Sequence, residues 1–256
     1  MSQARVISVL NQKGGVGKTT LTTNLAHGLA IKGYNILAVD LDPQAQLTAS
    51  LGIQEDSEKV LEKSLLDDAP LHSVTLPARE NLSIVPTSHG LSALEKLSGN
   101  GASSGFLLKN KLEHEIGKYD FIIIDCPPSS GLLVLNSILA SKEIITPMTG
   151  DYLGLQGLAY LMRTLKRFEK ILEQKLSQWV VLSRFQTRRR LSQEVKSRLR
   201  EYFPNKILKT DISESVLLAE CPGFGKTVFE YRPGSKSADE YRSLVDDFLL
   251  ERTHHD

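Results

Sequence analysis

Arg5-Val6-Ile7-Ser8-Val9-Leu10-Asn11-Gln12-Lys13-Gly14-Gly15-Val16-Gly17-Lys18-Thr19-Thr20 decides the fold of this chain. An apolar run, a glycine-rich turn and a helical pattern follow one another, which is the order a phosphate-binding loop requires. Glycines let backbone N–H groups curl around phosphate oxygens, and the helix behind them points its positive end at the same anion. Gly14, Gly15, Val16, Gly17, Lys18, Thr19 and Thr20 are therefore the candidate nucleotide-binding residues. Lys18 is placed to reach the β- and γ-phosphates and the Thr19 hydroxyl to ligand Mg²⁺. The bland alternative is a turn that binds nothing, but three glycines and two lysines within six residues have no packing rationale.

Working outward, the 256 residues suffice for one large α/β domain. Apolar content of 41% and charged content of 24% are ordinary for a globular protein. A net charge of +1 gives no overall attraction to nucleic acid or membrane, so any such binding needs a local patch. Two cysteines, Cys126 and Cys221, make no disulfide framework. The chain runs from Met1 directly into a strand pattern, without a signal peptide, and no apolar run approaches a spanning helix. These features predict a cytoplasmic protein.

Residues 18–32 read as a helix with Leu21, Leu25, Leu29 and Ala30 on one face. Ile36–Val39 reads as a buried strand running into Asp40-Leu41-Asp42-Pro43-Gln44. Residues 54–80 are irregular and acidic; 81–85 alternate as a strand; Ser98–Gly105 reads as a flexible loop. Phe121-Ile122-Ile123-Ile124-Asp125 is a continuous apolar run, as in a parallel strand covered on both faces. Strands are also expected at 143–147, 179–183 and 207–212, and helices at about 154–173, 190–202 and 235–251. Strands and helices alternate with no long linker. The fold class expected is α/β: one doubly wound, mostly parallel β-sheet flanked by helices over residues 1–256, with a disordered tail at 252–256.

Carboxylates at the ends of parallel strands sit where open α/β sheets bind ligands. Asp125 ends a hydrophobic strand, the Walker B arrangement that holds Mg²⁺ directly or through water. Asp40 and Asp42, two residues apart at another strand end, are aimed the same way by strand alternation, although Pro43 already ends the strand.

The loop departs from the G-x-x-x-x-G-K-[ST] pattern, because Gln12 and Lys13 precede Gly14. K-G-G-x-G-K-T resembles the deviant P-loop of the ParA/MinD family of ATPases. Asp40–Gln46 is similar to that family's V-D-x-D-P-Q segment, and Asp125-Cys126-Pro127-Pro128-Ser129 to its D-x-P-P-S switch. Ser183–Arg188 is similar to its T-x-[YF]-D-x-R segment, and Cys221–Lys226 with Tyr231–Ala238 to its A-P-S-x-G-K … Y-x-P-x-S-x-G-A tail. The match spans residues 5–250 in the right order and is closest to the ParA (Soj-like) branch. The resemblance implies a P-loop ATPase that takes ATP and Mg²⁺ and forms an ATP-dependent homodimer. Its hydrolysis is implied to be slow, stimulated by a separate adaptor or cargo protein. Lys13 is implied to reach the partner's nucleotide, Asp40 to organise the Mg²⁺ shell, Asp42 to position the attacking water, and Pro222 to wall the adenine.

Residues 184–206 hold Arg184, Arg188, Arg189, Arg190, Lys196, Arg198, Arg200 and Lys206 against Glu194 and Glu201, a local +6 that leaves the rest of the chain at −5. Such clustering suits non-specific, salt-sensitive DNA contact, and Arg188 coincides with a family arginine implicated in it. Arg184, Arg188, Arg189 and Arg190 are the candidate DNA contacts, which would place the protein at the nucleoid. Against this, Glu214 and Leu217 stand where the family has arginines. A MinD-like membrane regulator is disfavoured because the tail is acidic and then polar. A metabolic relative, an amidoligase or reductase, lacks visible acid/base or cysteine-ligand groups.

Overall fold

A computed structural model describes residues 3–54, 58–99 and 102–254. Seven strands form one sheet: β1 (Arg5–Val9), β2 (Ile36–Asp40), β3 (Leu76–Arg79), β4 (Leu82–Val85), β5 (Phe121–Asp125), β6 (Glu143–Met148) and β7 (Ser177–Leu182). Their order is β3-β4-β2-β5-β1-β6-β7, parallel throughout except for β3 against β4. The helices are α1 (Lys18–Ile31), α2 (Gln46–Ser50), α3 (Leu61–Leu66), α4 (Leu107–Glu113), α5 (Leu132–Ala140), α6 (Tyr152–Leu172), α7 (Arg190–Tyr202), α8 (Val216–Glu220), α9 (Val228–Tyr231) and α10 (Lys236–Leu249).

The apolar strands alternate between two cores. Ile122 and Ile124 of β5 face one, under α4 to α7, whereas Phe121 and Ile123 face the other, under α1 and α10. This is the two-sided covering that continuous apolar strands require. Tyr241, Leu244, Val245 and Phe248 of α10 are buried in the second core, each contributing about 1.5–3 kcal/mol by area removed from water. The apolar face of α10 is thus used inside the fold. Gly28 permits the contact with α1, since a Cβ there would lie 2.7 Å from a Val245 methyl. No helix among the described residues is long and apolar enough to cross a membrane.

Asn24, which carries no recognisable motif, joins α1 to α9. Its Nδ2 donates to the Thr20 carbonyl (2.8 Å), and its Oδ1 accepts the Val228 N–H (2.9 Å), one of the orphan donors at a helix start.

Four local expectations are corrected. Residues 76–79 form an antiparallel edge strand, a place where Pro77 is tolerated because its missing N–H leaves no gap inside the sheet. Residues 207–212 form no regular strand; they trail β7, with isolated bridges from Ile207 to Val180 and from Leu208 to Thr253. The segment read as a flexible loop carries 3-10 turns at His89–Gly99 and Ala102–Phe106, with residues 100–101 outside the described set. The tail expected to be disordered is packed through 254: Arg252 pairs with Asp247 (2.8 Å), and His254 Nε2 lies 3.1 Å from Asp211. Residues 255–256 lie outside the described residues.

Candidate nucleotide and metal site

The connections from β1 to β2 and from β5 to β6 leave neighbouring strands in opposite directions. They open a crevice at the carboxyl ends of β1 and β5, where doubly wound sheets take their ligands. The loop from Asn11 to Gly17 fills it. Asn11 fixes the loop's root, donating from Nδ2 to the Pro147 carbonyl (2.8 Å) and accepting the Lys13 N–H at Oδ1 (2.9 Å). Gly15 (φ +73°) and Gly17 (φ +88°) adopt left-handed conformations that side chains resist. Gly17 is the N-cap of α1, so the positive helix end faces the crevice.

A cleft of about 670 Å³ opens there, lined by Gly14, Gly15, Gly17, Lys18, Thr19, Thr20 and Asp42 on the loop side. Val16 is different: its side chain is buried in the protein, and its carbonyl accepts the Ser183 hydroxyl. The opposite wall comes from Arg184, Ile212 to Val216, Leu218, Ala219 and Tyr241. Pro222, the expected adenine wall, is not part of the lining of this cleft; Cys221–Phe224 winds into a 3-10 turn beside α2 and α8.

Asp125 ends β5 and faces α1. It accepts the hydroxyls of Thr19 (Oδ2, 2.7 Å) and Thr22 (Oδ1, 2.8 Å), which share one helix face at a spacing of three. Asp40 stands beside Asp125 in strand register. It accepts three donors: the Thr48 N–H (2.8 Å), the Thr48 hydroxyl (2.7 Å) and the Asp42 N–H (3.2 Å). Asp40 and Asp42 are thus not aimed alike. The strand stops at Asp40, whose side chain turns to α2, while Asp42 lies in the following turn, caps the Gln44 N–H (3.0 Å) and lines the cleft.

Burial pushes the Asp40 carboxyl up to about 8, with the Asp125 charge adding to the shift. Burial pushes Asp125 up to about 6 against the hydrogen bonds of Thr19 and Thr22 and the charge of Lys18. Burial lowers the pKa of Lys18, opposed by Asp125 and Asp42. Carboxylate oxygens grouped with threonine hydroxyls at the strand ends are the donor type a hard cation takes, so the residues fit Mg²⁺. No cluster of three or more acidic, histidine or cysteine groups at ligand spacing occurs among the described residues.

Lys13 is exposed at the mouth of the loop, where its Nζ donates to Asp151 (2.8 Å), the N-cap of α6. Arg184 leaves the basic patch. Its Nη1 donates to the Gly15 carbonyl (2.9 Å) and its Nη2 pairs with Glu214 (2.8 Å), so it braces the loop. Glu214, an anion in place of a family arginine, is thereby matched to this chain's own Arg184. Lys196 is likewise taken up by Asp211. Arg188, Arg189 and Arg190 remain exposed at the start of α7, with Arg190 3.8 Å from Glu194. Thr22, Thr48 and Asp151 were missed by motif reading, and Ser183 was read only as the first residue of a family segment, without a role. Only Thr22 had a signal, its hydroxyl lying one turn beyond Lys18.

This arrangement defines a P-loop nucleotide-binding protein. The family model for the "AAA domain" matches residues 4–178. The sporulation initiation inhibitor protein Soj of Bacillus subtilis is 38% identical over 244 residues, covering 94% of this chain and 96% of Soj. The chromosome partitioning protein ParA of Myxococcus xanthus is 35% identical over 252 residues, covering 97% and 89%. Among solved structures, cobyrinic acid a,c-diamide synthase from Mycobacterium smegmatis, with bound ADP and magnesium, superposes with a TM-score of 0.83 at 29% identity over 96% of this chain and 94% of the other. The chain belongs to the ParA/MinD family of P-loop ATPases, in its Soj-like branch.

Proposed function

We propose that this single-domain protein is a partition or positioning ATPase of the cytoplasm. It dimerises on ATP, holds non-specific DNA of the nucleoid, and hydrolyses ATP slowly until a separate adaptor or cargo protein stimulates it. The observation that carries this reading is the similarity to Soj over nearly the whole of both chains. The backbone around Gly15 and Gly17 cradles the phosphates, Lys18 neutralises the β and γ groups, and Asp42 positions the attacking water. Thr19, Asp40 and Asp125 organise the site for Mg²⁺, which supplies positive charge to the phosphate oxygens when bound.

Lys13 completes the site of a second copy. Its contact with Asp151 is an exposed ion pair, worth about 1 kcal/mol or less, so exchanging it for a phosphate costs little. Lys13→Ala is expected to leave the ATP affinity of the single subunit within about twofold, because within its own subunit one exposed pair is all it removes. It should abolish the ATP-dependent dimer in sedimentation velocity, and a dimer that survives would remove Lys13 from the interface.

Arg188, Arg189 and Arg190 supply the DNA contacts. Co-sedimentation with duplex DNA in ATP, ADP and no nucleotide tests the whole reading: binding is expected with ATP alone. Binding in none of the three would instead favour a metabolic relative. Replacing Arg188 and Arg189 with Glu should weaken binding and flatten its salt dependence by about one unit of slope per lost phosphate contact. An unchanged slope would take the patch out of the reading.

A further inference from the structure

Away from the nucleotide cleft, α6 and α7 diverge around a groove of about 420 Å³. Its floor is apolar: Leu155, Ala159 and Met162 follow one another along a single face of α6, and Phe203 closes the end of α7. Tyr152 (51% exposed) and Tyr202 (67% exposed) stand at its rim. Arg163, Lys166 and Arg198 complete the rim, and no carboxylate lines the groove. Among the described residues none of these three cations forms an ion pair, whereas Lys196, two residues before Arg198, is paired with Asp211.

We propose that this groove is a docking site for an acidic amphipathic segment of a partner protein, whose apolar side chains enter between α6 and α7 while its carboxylates meet the basic rim. Charge complementarity selects the occupant: an apolar floor whose charged lining residues are all cations fits a segment carrying Leu or Phe at i, i+3 and i+7 with Glu between them. Aromatic and arginine side chains at the rim are the residue types that anchor such contacts. Duplex DNA, the competing anion, carries no apolar side chains to fill the floor.

The test uses the nucleotide-free full chain, so that it is independent of ATP-driven dimerisation. A fluorescein-labelled helical peptide of the stated pattern is titrated by anisotropy beside two controls: the same peptide with Glu replaced by Lys, and the same peptide with its apolar positions replaced by Ser. Binding by the first alone, weakened by salt, is expected. Arg163→Glu with Lys166→Glu should reduce it at least about tenfold, as reversal of rim charges does. Both residues are exposed, and an unchanged melting temperature and ATP affinity verify that the fold is intact. Equal binding of all three peptides, or none up to millimolar concentration, overturns the proposal. So does binding of a short duplex that the same two substitutions abolish while the peptide shows none. ATP-dependent DNA binding can fail without touching this result, and the reverse also holds.

Discussion

Lys18→Ala is expected to abolish measurable ATP binding. Lys18 is buried at the start of α1 and lines the cleft, and its nearest charges are the Asp125 and Asp42 carboxylates. Hydrogen bonds from an ammonium to charged oxygens are worth about 1.5–3 kcal/mol each. Two phosphate contacts therefore amount to roughly 4 kcal/mol, on the order of a thousandfold in affinity. Removing the cation also strips Asp125 of a charge that holds its pKa down, so the metal side of the site weakens with the phosphate side. The core does not depend on Lys18, and the variant should melt cooperatively. Isothermal titration with Mg²⁺ and ATP checks the result; retained tight binding in a folded variant would remove the loop as the phosphate site.

Much of this architecture was legible in the sequence because local pattern and tertiary environment agree there. The β1 loop, the apolar β5 ending in Asp125 and the helix from Lys18 each carry their signal within a few residues. What could not be read was decided by partners far along the chain. Arg184 looked like one member of a basic cluster, yet Glu214 and the Gly15 carbonyl claim its guanidinium. Asp40 and Asp42 looked like a matched pair, but three donors from Thr48 and the Asp42 backbone fix one while the other lines the cleft. Edge strand β3 was hidden by Pro77, an argument against a central strand that does not apply at the edge. The C-terminal end of the fold was hidden too: His254 is held by Asp211, Arg200 and the Ile207 carbonyl, all distant in sequence.

The basic segment shows how such pairing changes a functional reading. Eight cations in 184–206 read as one surface. In the fold Arg184 turns to the nucleotide loop, Lys196 to Asp211, and Arg198 to the groove between α6 and α7. The charge available to a nucleic acid is concentrated at Arg188 to Arg190, on the turn that leads into α7. A local charge count is therefore an upper bound on a binding surface.

Asp42→Ala is expected to stop hydrolysis while leaving ATP bound, so that the ATP-held dimer accumulates. Of the three strand-end aspartates, Asp40 and Asp125 are wholly buried and engaged with threonines, and neither lines the cleft. Asp42 does line it, and its Oδ1 spends one acceptor site on the Gln44 N–H. Under the proposed function it is the carboxylate that orients a water against the γ-phosphate, a role whose loss costs about a hundredfold or more. The Gln44 contact gives a rival account, in which Asp42 merely shapes the turn. Asp42→Asn separates the two, because an amide oxygen still accepts the Gln44 N–H but carries no charge. Phosphate release should be lost in both variants, with ATP affinity kept and the dimer persisting in sedimentation velocity. If Asn restores hydrolysis, the turn and not the carboxylate is what the site needs, and the water must be oriented by another group.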